Sequence, residues 1–321
     1  MIRRRRSFAN IVLEILHITG MNDATHVDAA ISPAARRNQA ATPPARLGRG
    51  SVNKSFFAVA DGRRLECEWF MPEASGPEPD STIVMLHEGL GSLSMWKGFP
   101  AHLAAMSRTR VLAYSRYGYG KSEVLAGRRD ALSMHEHEAL VVLPELLEKL
   151  GIAKPTLFGH SDGASIALIN AASTNSRADA LIVLAPHVYV EPMCLEAIRA
   201  ARHAYLSTSL RAKLARYHED PDSAFWGWND LWLDPAFPEW NIRSQLPRIA
   251  CPILAIQGYQ DEYGTMAQLD TLARARPGTT VLKLENCGHS PHRDQPEKVL
   301  DAVTDFLATT HMHARDDAFI R

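Results

Sequence analysis

Thr156-Leu157-Phe158-Gly159-His160-Ser161-Asp162-Gly163-Ala164-Ser165-Ile166-Ala167 is the stretch that decides how this chain is read. An apolar run leads into a turn with a serine at its apex, and small residues follow. That pattern is a strand, a tight turn and a helix. The glycines two residues to either side of the serine let strand and helix pass at a distance that larger side chains forbid, with the apex backbone held in a strained conformation. The hydroxyl of Ser161 is then exposed above a sheet, and the N–H of Asp162 lies at the start of a helix. A G-x-S-x-G pentapeptide in this setting marks a serine nucleophile.

Working outward, the chain alternates strand and helix patterns. Residues 56–60 and 64–70 flank Asp61-Gly62 and read as a β-hairpin. Thr82-Ile83-Val84-Met85-Leu86 reads as a buried strand, 94–107 as a helix, and 110–114 as a strand. Ser133-x-x-Glu136 reads as a capping box opening a helix to about Leu150. After the elbow come strands at 180–184, 252–256 and 280–284, a helix after Thr265-x-x-Gln268, and a closing amphipathic helix over 296–309. This order predicts an α/β fold whose mostly parallel, doubly wound sheet is covered on both faces. Ligands of such sheets bind at the carboxyl ends of the strands.

The alternation stops between His187 and about Pro247. That stretch has helical patterns at 196–205 and 210–218 and four of the six tryptophans, Trp226, Trp228, Trp232 and Trp240. It reads as an inserted helical cap, residues 187–247, over a core formed by 51–186 and 248–310. Most of these tryptophans are expected to form the core of the cap, with one or two lining a substrate pocket.

A serine hydroxyl needs a base to accept its proton and an acid to orient that base. Asp261 follows the strand ending near Ile256, and His289 follows the strand ending at Leu284. The order Ser, acid, His fits this type of sheet. Glu262 is the rival acid, and His292 lies three residues beyond the base. The other acid position, after Leu184, carries Ala185-Pro186-His187 and no carboxylate. His87-Glu88-Gly89-Leu90-Gly91 follows an earlier strand and supplies a candidate second oxyanion donor. The expected donors are the N–H groups of Asp162 and Gly89, with the N–H of Glu88 as the alternative. The Glu88 carboxylate must turn away and be paired, because a negative charge in that hole would oppose the oxyanion.

With these residues in place, positions 51–310 resemble the α/β-hydrolase superfamily. Ser115-Arg116-Tyr117-Gly118-Tyr119-Gly120-Lys121-Ser122 resembles its turn after the next strand, where Arg116 would be structural. Pro291-His292-Arg293-Asp294-Gln295-Pro296 resembles the start of its final helix. The resemblance implies that Ser161, Asp261 and His289 form the catalytic triad. A serine at the apex separates the chain from the dehalogenase and epoxide hydrolase branches, which carry aspartate there. Capped esterases, proline-iminopeptidase-like enzymes and carbon–carbon bond hydrolases are the most similar groups.

The remaining features narrow the class. The 321 residues have a formal net charge of −1, with 46% hydrophobic and 22% charged residues, so no bulk field draws nucleic acid or an anionic membrane. No apolar run approaches the length of a membrane span. Cys67, Cys194, Cys251 and Cys287 are widely spaced and read as reduced thiols in a cytoplasm. Residues 1–50 hold eight arginines against three acids and read as a disordered or targeting extension. Arg5-Arg6-Ser7-Phe8 resembles a twin-arginine export motif, although Glu14 and His17 interrupt the apolar stretch after it. Export is thus the alternative to a cytoplasmic location; a short amphipathic helix and a true start at Met21 are the other readings of residues 1–20. Residues 311–321 read as a frayed tail. His135 and His137 are two apart on a helix and point in different directions, so no metal site is expected. No nucleotide motif and no cofactor is implied.

The expected function is a cofactor-independent serine hydrolase acting on a carboxylic ester of a small, largely apolar substrate through an acyl-enzyme. Carbon–carbon bond hydrolysis of aromatic ring-fission products is the alternative. It would need a cation for the substrate carboxylate, for which Arg199, Arg202 and Arg211 of the cap are candidates. Acyl transfer differs only in water exclusion. A ligand-binding receptor on a hydrolase scaffold is the alternative of another class.

Overall fold

The computed structural model describes residues 55–72 and 81–319, with side chains up to Thr310. The N-terminal extension lies outside the described residues. Eight strands form one sheet in the order β1-β2-β4-β3-β5-β6-β7-β8. They are β1 (Phe56–Ala60), β2 (Arg63–Phe70), β3 (Thr82–Leu86), β4 (Arg110–Tyr114), β5 (Pro155–His160), β6 (Ala180–Leu184), β7 (Ile253–Gly258) and β8 (Thr280–Leu284). The opening hairpin turns at Asp61 and Gly62, both at positive φ, and β2 joins β4 antiparallel. Every later pairing is parallel. Strands β3, β5, β6 and β7 are buried throughout, which is why they read as unbroken apolar runs rather than alternating ones.

The strand period of two divides these runs between two cores. Val84, Leu86, Leu157, Leu181 and Val183 face one core. It is shared with α4 (Asp162–Ala171), the segment 134–149 and the cap. Ile83, Met85, Phe158, Ile182 and Leu184 face the other. There they meet Leu103 of α1 (Phe99–Ser107) and Val299, Val303 and Leu307 of the last helix, α10 (Pro296–Phe319), which follows the short α9 (Pro291–Asp294).

Four local expectations are revised. Residues 94–107 are a 3-10 turn at Leu93–Trp96 and then α1, because Lys97 takes φ 53 and breaks the run. The helix after Ser133 is divided into α2 (Met134–His137), a π-helical turn (Glu138–Val142) and α3 (Leu143–Lys149). Ser133 makes no side-chain cap; the turn before it is instead closed by Asp130, whose Oδ1 accepts from the N–H groups of Leu132 and Ser133 at 3.1 and 2.9 Å. Ahead of α8 (Ala267–Ala275), Gln268 does not complete a box with Thr265. Its buried amide instead accepts from Val188 N–H at 2.9 Å and donates to Tyr189 O at 3.1 Å, tying α8 to the base of the cap. The closing helix continues along the backbone to Phe319 rather than ending near 309.

Between β6 and β7 lie α5 (Pro192–Ser207), α6 (Leu210–Leu214) and α7 (Pro221–Trp232), followed by 3-10 turns at Phe237–Glu239 and Leu246–Arg248. Asp220 caps α7, accepting from the Ser223 N–H at 2.9 Å, and Pro221 supplies a first-turn φ that suits a helix. Among the described residues no helix is long and apolar enough to cross a membrane.

The elbow depends on close approach. A Cβ added at Gly163 would overlap the Leu86 carbonyl, and one at Gly159 would press on Ala164 Cα at 2.5 Å. Gly163→Ala is therefore expected to destabilise the fold by about 1–3 kcal/mol through overpacking against rigid backbone. Gly98→Ala, where the nearest atom lies 3.8 Å away, serves as the control and should be near neutral in the same urea unfolding series.

Candidate active site

Ser161 occupies the turn between β5 and α4 with φ 53 and ψ −116, a conformation that few non-glycine residues adopt. Its N–H is held by Leu184 O at 2.9 Å. The loop after β8 brings His289 to it, with Nε2 2.9 Å from Ser161 Oγ. The loop after β7 brings Asp261, whose Oδ1 lies 2.9 Å from His289 Nδ1. A carboxylate can only accept, so Nδ1 carries a proton, and in the neutral ring Nε2 then offers its lone pair to the hydroxyl. The Asp261 carboxylate is further held by N–H groups of Tyr263 at 2.8 Å and Gly264 at 3.2 Å, and by Gln257 Nε2 at 3.0 Å. Glu262, the rival acid, adds charge nearby but is not the carboxylate bonded to the ring.

The charges follow from this arrangement. Burial by itself would lower the pKa of His289, but the Asp261 carboxylate outweighs it and raises the ring above its ordinary value. Burial would raise Asp261, and the His289 ring more than offsets that, holding the carboxyl below its usual range. His187 stands on the other side with its pKa pushed down to about 4 by burial and then by His289, so its imidazole is neutral. The Cys287 thiol is pushed up to about 12 by burial and remains protonated.

The turn after β3 lies beside the serine. Arg116 is fully buried and donates through Nη2 to Glu88 O at 2.9 Å, while the Gly91 N–H donates to the same oxygen at 3.1 Å. In a trans peptide the N–H points opposite to its carbonyl, so the Gly89 N–H faces away from Arg116. Neither this N–H nor that of Asp162 donates to another group among the described residues. The Glu88 carboxylate is turned toward His160 Nδ1 at 3.5 Å and Arg293 Nη2 at 3.6 Å. His160 also contributes a 2.7 Å bond from Nε2 to the His289 carbonyl. His292 is buried against Trp96 and Phe99 rather than facing the serine.

A cavity of about 550 Å³, its open mouth included, lies over Ser161 and His289. Its walls include Leu90, Ile198, Leu210, Leu214, Trp228 and Trp232. Trp226 instead packs under Arg202, and Trp240 packs on His135. None of Arg199, Arg202 and Arg211 lines the cavity. Arg202 and Arg211 pair with Asp230 and Asp222 on the cap surface.

A model of the alpha/beta hydrolase family matches residues 83–302, which takes in the elbow, the turn after β3 and the loops that carry Asp261 and His289. The chain belongs to this family. It is 26% identical over 247 residues to serine hydrolase BPHL of Homo sapiens, covering 72% of this chain and 80% of that one. It is 35% identical over 72 residues to monoacylglycerol lipase ABHD6 of Rattus norvegicus. That match spans 22% of the chain and only 21% of the relative. The enol-lactonase of Burkholderia xenovorans LB400 superposes with a TM-score of 0.61 at 22% identity, over 78% of this chain and 99% of the other, and shares the fold.

Sequence reading did not foresee the surroundings of the Asp162 side chain. That carboxylate is 1% exposed, beside His135 Nε2 at 3.4 Å and Arg116 Nη2 at 4.0 Å. Burial would raise its pKa, but these neighbours hold it well below the usual carboxylate range. The signal was available: a charged residue opening a helix of otherwise small or apolar residues requires a partner inside the protein. His137 points elsewhere, to Asp61 on the surface at 2.9 Å.

The His289–Asp261 pairing has a direct readout. In an NMR titration the His289 ring of this hydrolase should titrate above about 6.5, the ordinary histidine value. In Asp261→Asn the raising charge is gone and burial remains, so the midpoint should move down. A midpoint that stays in place would show that Asp261 does not set the charge of the ring.

Proposed function

We propose that this hydrolase cleaves carboxylic esters with a small, largely apolar acyl group, using Ser161 as nucleophile, His289 as general base and acid, and Asp261 as the residue that orients it. The observation that carries this reading is the cavity: Ser161 and His289 lie in a wall whose other members are mainly aliphatic and aromatic, and no Lys or Arg is among the lining residues. A carboxylate-bearing ring-fission product would lose its charge solvation there, which weighs against carbon–carbon bond hydrolysis.

The chemistry follows from the geometry. His289 Nε2 accepts the Ser161 proton as Oγ adds to the ester carbonyl carbon, and Asp261 stabilises the imidazolium. The negative oxygen that forms is met by the N–H groups of Asp162 and Gly89, each worth a few kcal/mol when aimed at its position. His289 then protonates the departing alcohol. It next activates a water that releases the acid from the acyl-enzyme.

The test is a p-nitrophenyl ester series from acetate to decanoate, with a fluorophosphonate probe of the nucleophile. Wild type should turn over, peak at short or medium chains and take up one equivalent of probe. Ser161→Ala should lose probe labelling and on the order of 10⁴-fold or more in kcat. Labelling that persists in the variant, or a single burst with no turnover, would reject the reading, the latter in favour of a ligand receptor.

A further inference from the structure

Helix α7 of the cap presents Trp228 and Trp232 four residues apart, hence on one face. Each meets a different one of the two residues read above as oxyanion donors. Trp232 Nε1 donates to Asp162 Oδ1 at 3.2 Å. Trp228 packs its indole edge directly on Gly89, where a Cβ would overlap both Nε1 and Cδ1. The same Cβ position lies 3.2 Å from Asp162 Oδ2, so the two contacts adjoin. Glycine at 89 is thus required by the indole packed on it.

The lower side of this contact is rigid. Asp162 is the first residue of α4, so its side chain and its own N–H move with the elbow. Arg116 lies between its carboxylate and the Glu88 carbonyl, which belongs to the peptide that bears the Gly89 N–H. His135 closes the far side and stacks with Phe237, which packs on Trp232. One buried carboxylate therefore joins the cap, the elbow and the oxyanion turn. Asp162 Oδ2 has no hydrogen-bond partner, so its position depends on its charged neighbours and the cap packed over it.

We propose that Trp228 and Trp232 are positioning residues for the oxyanion hole: Trp232 holds the elbow through the Asp162 carboxylate, Trp228 braces Gly89, and the seating of the cap sets the aim of both N–H donors. This rests on the reading of Gly89 and Asp162 as those donors. It makes cap closure part of transition-state stabilisation rather than only a wall for the acyl group.

The decisive variant is Trp232→Phe, which keeps an aromatic ring and removes the N–H. With p-nitrophenyl butyrate, kcat should fall roughly 10- to 100-fold while KM stays within about twofold. Affinity for a trifluoromethyl ketone, which forms the tetrahedral adduct, should weaken by the same factor as kcat/KM. Affinity for the matching secondary alcohol, which forms none, should not move. Asp162→Asn retains an oxygen for Trp232 and should keep more activity than Asp162→Ala. Backbone amide NMR gives a readout free of turnover: the Gly89 and Asp162 N–H resonances should shift in Trp232→Phe and in Trp228→Phe. Such shifts in a protein that hydrolyses no ester would support the clamp and reject only the ester reading. Wild-type kcat, unchanged ketone affinity and unmoved amide resonances would overturn the proposal. So would a loss confined to KM, or one that follows melting temperature.

Discussion

The contact on which the rest depends is that of α4 against the end of β3. Gly163 touches the Leu86 carbonyl with no room for a side chain, and this forces Ser161 into its left-handed turn. Such a conformation is worth about 1–3 kcal/mol of strain. It persists because β5 and α4 are buried along their whole length and cannot relax independently. The strain lifts the hydroxyl off the sheet toward His289. It also leaves the Asp162 N–H unpaired at the helix start, the electropositive end.

Charge placement is the second constraint. Burying Asp162, Arg116 and Glu88 beside a reacting centre would be prohibitive if each were alone. Each is paired instead. Arg116 serves two backbone carbonyls and a carboxylate, and Glu88 is held between His160 and Arg293. The Asp162 and Glu88 carboxylates are thus each turned toward basic side chains.

The cap does more than cover. Its apolar residues give the cavity the character on which the ester reading rests, and two of its arginines, Arg202 and Arg211, stay on the outer surface in pairs with Asp230 and Asp222. Its attachment runs through Gln268 and Glu191 at the base and through the two indoles at the centre. The covering element is thus fixed to the elbow itself, through Trp232 on Asp162.

The sequence by itself determined the sheet, the elbow and the identity of the residues brought to it. Buried parallel strands must be continuous apolar runs, and a strained serine turn needs glycine at fixed offsets, so both leave local marks. Asp261 and His289 were legible because each follows a strand end. Other features depended on tertiary contact. Gln268 abandons the local box with Thr265 because Val188 and Tyr189, distant in sequence, take up its amide. The pairing of Asp162 with Trp232, and of Gly89 with Trp228, joins residues 70 or more positions apart. No period or spacing encodes such a meeting; it exists only once the cap has been laid over the sheet.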